Sequence, residues 1–302
     1  MKKLRFLVSL TTNDNDYQQE QAKSAEEASR RLGVDAQILY AQNDSITQST
    51  QLLNAIQAAP SLRPDAIVFE PVGATALPQV ARAAAGANVG WVVLNREATY
   101  IGEVRRLTKA PFFCVSNDHT EIGRIQGRQF AALLPQGGNV LYIQGPSDNS
   151  AAKERTIGML ATKPANVQVT TLKGQWTEES AIRAVRSWLQ LSTSKKAIVD
   201  LVAAQDDSMA IGARKALQEI SNSSDRERWL KLPFTGCDGL PKTGQAWVRS
   251  GLLAATVFAP ANTGQAIEML VQAMERGQEQ PELALTAPSS IPPLAELRPR
   301  PA

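Results

Sequence analysis

Short apolar runs alternate with amphipathic stretches along the whole chain. "RFLVSL" (5–10), "DAQILYA" (35–41), "DAIVFEP" (65–71) and "GWVVLN" (90–95) read as strands, with helical patterns near 17–32, 45–59 and 75–86 between them. A second series follows in "FFCVSN" (112–117), "NVLYIQG" (139–145), "VQVTTLK" (167–173), "AIVDLVAAQ" (197–205), "LPFTGCD" (232–238) and "LLAATVF" (252–258). Alternation of this kind predicts parallel sheets flanked by helices. Nearly continuous apolar strands predict sheets covered on both faces. The expected fold class is therefore α/β, built as two doubly wound parallel-sheet domains. A (β/α)₈ barrel fits less well, because FFCVSN follows GWVVLN without a helix-length crossover.

In open α/β sheets, ligand groups gather at the carboxyl ends of the strands. Those ends carry Asn13-Asp14-Asn15, Glu70-Pro71, Asn95-Arg96, Asn117-Asp118, Gly145-Pro146, Gln205-Asp206-Asp207 and Cys237-Asp238-Gly239. These are planar amide, carboxylate and guanidinium groups. Neither G-x-G-x-x-G nor G-x-x-x-x-G-K-[ST] occurs, which disfavours a nucleotide. The adjacent Asp206 and Asp207 pose a question of their own. The apolar stripe Met209, Gly212, Ala213, Ala216, Leu217 and Ile220 predicts a helix starting just after them, so Asp207 is expected to cap it and Asp206 to face a ligand. Adjacent residues at a strand end point in different directions, which disfavours an acid/base pair.

The chain has 302 residues, more than one core comfortably serves, and 43% of them are hydrophobic. A net charge of only +3, with signs mixed, leaves no footprint for nucleic acid. One histidine (His119) and two distant cysteines (Cys114 and Cys237) make His-based zinc sites and Cys/His or Ser/His hydrolases poor readings. No cofactor, metal or catalytic residue is expected. The opening "MKKLRFLVSL" has too short an apolar run for a secretory leader and reads as a first strand, and no stretch reaches the length of a membrane span.

In order and spacing, "YAQNDSITQSTQLLNAI", "DAIVFEPVGATALPQV", "VVLNREA", "VSNDHTEIGRIQGRQ", "NSAAKERTIGM", "VAAQDDSMAIGARKAL", "GCDGLP" and "GLLAATV" resemble the type I periplasmic sugar-binding proteins of ABC transporters, nearest the ribose-binding-protein-like subgroup. The resemblance runs over about residues 5 to 280. It implies two Rossmann-like domains joined by a three-crossing hinge, 1–117 with 260–287 and 118–259 with 288–302, closing over one sugar. Three crossings leave bending as the soft motion.

Carried over residue by residue, the resemblance assigns ligand contacts to Asn15, Tyr17, Asn95, Arg96, Asp118, Arg155, Trp176, Asp206 and Asp238, with Trp176 as a stacking platform. Fixed planar donors and acceptors suit sugar hydroxyls, which donate one hydrogen bond and accept two. Relatives that bind ribose show Asp-Arg at Asn95-Arg96, Asn-Asp at Asp206-Asp207, a second aromatic at Gln18, an aromatic at Cys237 and a Gln near Ala259. Five departures argue against ribose itself and leave another sugar or polyol.

The function implied is a non-enzymatic, monomeric solute receptor that hands a small carbohydrate or polyol to an ABC permease or a membrane sensor, without nucleic acid. Its location would be periplasmic or at the cell surface if a leader has been removed, and cytoplasmic otherwise. The alternative is a cytoplasmic sugar-sensing regulatory protein of the same fold without a DNA-binding headpiece, since the pattern starts directly at the first strand. The Pro-rich end "APSSIPPLAELRPRPA" is read as a tail that crosses the hinge or hangs free.

Overall fold

A computed structural model describes residues 3–73, 76–192, 194 and 197–299. The chain forms two compact units, Met1–Asn117 with Ala261–Thr286 and Asp118–Pro260 with Ala287–Ala302. In the first unit, β1 (Arg5–Leu10), α1 (Asp16–Leu32), β2 (Asp35–Tyr40), α2 (Ser45–Gln57), β3 (Ala66–Phe69), α3 (Pro78–Gly86), β4 (Gly90–Leu94), α4 (Ile101–Arg105) and β5 (Phe112–Asn117) follow one another. The second unit contributes α5 (His119–Leu133), β6 (Gly138–Gln144), α6 (Ser150–Thr162), β7 (Val167–Lys173), α7 (Glu178–Leu189), β8 (Leu201–Ala204), α8 (Asp207–Gln218), α9 (Ser223–Leu230), β9 (Phe234–Thr235), α10 (Gly244–Arg249) and β10 (Thr256–Phe258). The chain then returns to the first unit for α11 (Thr263–Arg276) and β11 (Leu283–Thr286), and ends in the second with β12 (Ser289–Ile291).

The first sheet runs β11-β5-β4-β3-β1-β2, parallel throughout. Val8 pairs with Ile38 on one side and Val68 on the other. Alternate residues serve opposite faces, as period two demands. Phe6, Val8 and Leu10 pack with Ala25, Ile267 and Leu270 of α1 and α11, whereas Leu7, Ile67, Phe69 and Trp91 pack with Leu52, Ile56, Val80 and Ala84 of α2 and α3. The second sheet runs β7-β6-β8-β9 and is likewise parallel. Leu141 and Ile143 meet α7 and α8, while Val140 and Tyr142 meet Phe130 of α5 and Met159 of α6.

Three strands are shorter than the sequence suggests. The runs 197–205, 232–238 and 252–258 yield only Leu201–Ala204, Phe234–Thr235 and Thr256–Phe258. Isolated parallel bridges, Thr235 to Ala255 and Asp238 to Phe258, continue the pairing beyond β9 and β10. The crossover between β4 and β5 does hold a helix, the short α4, and the two strands pair in parallel. The C-terminal tail is docked on the second unit. Its β12 pairs antiparallel with β10, and Leu297 is buried in the cluster around Tyr142.

Packing of α5 on α6 brings backbone against backbone. A Cβ at Gly123 would fall on the carbonyl of Arg155, and one at Gly158 on that of Thr120. Thr162 Oγ1 donates to the carbonyl of Arg124 at 2.8 Å across the same seam.

The cap expected of Asp207 falls on Asp206 instead. Helix α8 starts at Asp207, one residue before the apolar stripe indicates, which makes Asp206 the extended residue at the N-cap. Asp206 Oδ1 accepts from Met209 N at 2.5 Å. Asp207 instead points into the unit, where Oδ1 lies 2.7 Å from Thr256 Oγ1 and Oδ2 accepts from Gly239 N at 2.8 Å. It is a strut joining α8 to β10 and to the loop after β9. Burial pushes both carboxyls up, Asp207 further, because the Asp206 charge adds to it and Arg155 offsets only part.

Two tests follow from these contacts. Helix propensity alone would make Gly158→Ala stabilising by up to about 1 kcal/mol; the close seam reverses the sign, and urea unfolding is expected to show a loss of about 1–3 kcal/mol. A carboxyl whose folded pKa lies above its unfolded value near 4 stabilises the fold less as pH rises through that window. Melting temperature is accordingly expected to fall between pH 5 and pH 8. Asp207→Asn, which mimics the protonated strut by donating to Thr256 and accepting from Gly239, should shrink that slope.

Candidate functional site

Strand order in the first unit reverses between β1 and β3, and in the second between β6 and β8. Such switch points leave a crevice at the carboxyl ends. The residues there are polar in both units.

In the first unit, Asn15 caps α1, its Oδ1 accepting from Tyr17 N at 2.8 Å and Gln18 N at 3.2 Å. Tyr17 turns its hydroxyl to the end of β5, where it accepts from Asn117 Nδ2 at 2.8 Å. Asn95, just past β4, has a left-handed backbone with φ of 56°. Its Nδ2 donates to Tyr17 Oη at 3.3 Å and Glu70 Oε2 at 3.1 Å. Its Oδ1 accepts from Asn117 Nδ2 at 3.1 Å and Asn262 Nδ2 at 2.8 Å. Both donor hydrogens and both acceptor sites of this amide are thereby engaged within the unit. Sequence reasoning makes Asn95 a direct ligand contact; the structure gives it an organising part, orienting Tyr17 and Glu70. Arg96 reaches back over the loop after β3, with Nη1 donating to Gly73 O at 2.6 Å and Nη2 to Pro71 O at 3.5 Å.

Asn262 occupies the N-cap position of α11 but does not cap it with its side chain. Gln21 of α1 takes that part, accepting from Asn262 N and Thr263 N, each at 3.0 Å. That substitution frees the Asn262 amide for Asn95. Thr286 Oγ1 completes the group, donating to Asn117 Oδ1 at 2.6 Å.

In the second unit, Arg155 of α6 is 7% exposed. Its Nη1 donates to the Gln205 carbonyl and its Nε to His119 Nδ1 at 3.4 Å. The guanidinium lies 5.3 Å from the centre of the Trp176 ring, a cation–π distance. Trp176 is half-buried with φ of 60°, strained for so bulky a residue, and its ring lies where a side chain on Gly145 would be. Asp206 is 4% exposed and close enough for the Arg155 charge to favour its ionised form. Asp238, half-buried with φ of 101°, follows β9 and is fixed by its own N–H to Val257 O at 2.9 Å. Asp118 caps α5, accepting from Glu121 N at 2.8 Å, next to His119. His119 is buried against Arg155.

Sequence reasoning placed Glu70, Asn117 and Gln205 at strand ends without drawing them into the site. Gln205 ties three elements: Oε1 accepts from Gly145 N at 2.9 Å, while Nε2 faces Tyr142 Oη and Thr156 Oγ1, each at 3.0 Å, and Ala152 O at 2.9 Å. A continuous apolar run ending in Gln was the signal. Asn262 carried none, because only the return of the chain to the first sheet brings it beside Asn95.

Burial pushes the Cys114 thiol up to about 12 and raises Cys237 as well, so both sulfurs are held as inert thiols. Among the described residues, no group of three His, Cys, Asp or Glu side chains is placed to hold a metal ion, and no helix is long and apolar enough to cross a membrane. What the strand ends offer is hydrogen bonding from planar groups held in place by neighbours.

Comparison with known proteins places the chain among binding proteins. The chain is 34% identical over 200 residues to a putative rhizopine-binding protein of Rhizobium meliloti, an alignment spanning 64% of this chain and 60% of that protein. It is 27% identical over 257 residues to the ribose import binding protein of Escherichia coli K12, covering 85% and 79% of the two chains. The solved structure of a galactofuranose binding protein shares the fold, with a TM-score of 0.80 at 21% identity over 95% of this chain and 94% of that one. The Caulobacter myo-inositol binding protein does so too, at 0.77 and 22% over 95% and 92%. The family model described as periplasmic binding protein domain matches residues 6–279, nearly the whole described chain, and this protein belongs to that family.

Proposed function

We propose that this protein is a non-enzymatic receptor that binds one small carbohydrate or polyol and presents it to the permease of an ABC importer, working as a monomer in the periplasm. The observation that carries this reading is the set Arg155, Trp176 and Asp206 at the strand ends of the second unit: a fixed guanidinium, an aromatic face and a carboxylate, the three groups a sugar ring asks for. Relatives named for ribose, D-apiose and xylitol support the same ligand class. The two units serve as lobes, the three chain crossings near residues 117, 260 and 286 as the hinge, and Asn15, Tyr17, Arg96, Asp118 and Asp238 as further ligand contacts.

The polar groups set selectivity through a penalty. A buried donor or acceptor left unpaired costs about 1–3 kcal/mol, so a ligand lacking a matching hydroxyl is rejected. Aspartate at 206 keeps an acceptor beside Arg155.

A panel of pentoses, hexoses and polyols, screened by thermal shift and then calorimetry, tests this reading. A true ligand at a hundredfold excess over its Kd is expected to stabilise the protein by about 2.7 kcal/mol, and to be recovered chemically intact. Asp238→Asn and Asp206→Asn, which keep turn and cap, should each weaken binding tenfold or more. Absence of any shift across the panel would overturn the proposal.

A further inference from the structure

The structure assigns to Glu70 a part in ligand selection: we infer that its Oε1 accepts a hydrogen bond from the ligand, so that the solute must present a hydroxyl or ammonium donor at this point. The inference rests on the receptor reading above and specifies it.

Glu70 follows β3 directly, on one side of the β1/β3 switch point of the first sheet. Its main chain is fixed on both sides, N–H to Ser9 O at 2.9 Å and carbonyl to Gln48 Nε2 at 2.8 Å. The side chain is fixed on one oxygen. Gln18 Nε2 at 2.8 Å and Asn95 Nδ2 at 3.1 Å both donate to Oε2. The Gln21 amide also acts on this carboxyl, but among the described residues no hydrogen bond within 3.5 Å is made to Oε1, and it is not a sealed orphan atom, since Glu70 is only partly buried.

The surroundings leave the carboxyl short of donors for its charged form, which a ligand donor would favour. Burial raises the Glu70 pKa, against the opposing effects of Gln18, Asn95, the Arg96 charge and Gln21. Arg96 lies close enough to be felt, yet its guanidinium donates to the Gly73 and Pro71 carbonyls. The carboxylate is thus held by neutral amides. Gln18 stands where the ribose-binding pattern calls for an aromatic, and here its amide supports Glu70.

The test is Glu70→Gln. Glutamine can keep its oxygen toward Gln18 and Asn95, which preserves the scaffold, but it then places an NH₂ donor where the carboxylate had an acceptor. With each sugar or polyol that the unmodified protein binds, calorimetry is expected to show Kd raised tenfold or more, with melting temperature of the free protein unchanged or higher. Paired measurements with deoxy analogues should find one hydroxyl whose removal weakens the unmodified protein but not the variant, a coupling that a purely structural Glu70 would not produce. A variant that binds every such ligand within twofold of the parent would overturn this inference alone. A parent that binds nothing in the panel would instead overturn the receptor reading on which it rests.

Discussion

Two parallel strands can neighbour each other only if the chain travels back along the sheet between them. Every strand of each sheet therefore ends along the same edge, and the residue that follows each one is delivered to that edge whatever its position in the sequence. This constraint brings Glu70, Asn95 and Asn117 into one hydrogen-bonded group with Tyr17 and Gln18, which Asn15 caps, and Asn262 joins it from the N-cap of α11. It does the same for Gly145, Gln205 and Asp206 in the second unit, where Arg155 of α6 donates to the Gln205 carbonyl. Helices on both faces supply the hydrophobic stabilisation, leaving the edge free to be polar.

Polar groups at such an edge need partners if they are to hold a shape. Here neutral amides do most of that work. Gln21, Gln48, Gln126, Gln129 and Gln205 are all fully buried. Each bonds a backbone or side-chain group on another element, as Gln126 does with Ala204 O at 2.8 Å and Tyr142 Oη at 2.9 Å. A buried amide avoids the desolvation that a buried charge would suffer, and its planar geometry still fixes direction. Charges at these edges are few: Glu70, Arg96, Arg155 and the aspartates. Of these, Asp207 is a carboxyl used as an internal strut.

The fold was legible because period two and continuous apolar runs are strong signals in β1 to β7, where the hydrophobic pattern extends the length of the strand. It was weaker at β9 and β10, which are two and three residues long and continue only as isolated bridges. Of the residues singled out from the sequence, Arg155 and Trp176 lie against each other. The helix cap was placed one residue late, on Asp207 rather than Asp206, because a cap is defined by backbone conformation, and an apolar stripe locates a helix start only to within a residue or two. Glu70 was visible as a strand end, but its importance depends on Gln18 and Asn95 converging on one of its oxygens. Asn262 lay beyond any local pattern.

The first sheet is completed by segments made after the inner portion of the second unit. Its edge strand β11 and the covering helix α11 lie after residue 260, beyond the entire inner portion of the second unit. During synthesis, β5 must therefore wait with an unpaired edge, and the amide of Asn95 with one acceptor site unfilled, while some 140 residues of another unit emerge. An early-finished first unit would be an open sheet. A unit wired this way takes its final shape only after the unit inserted into it has been made.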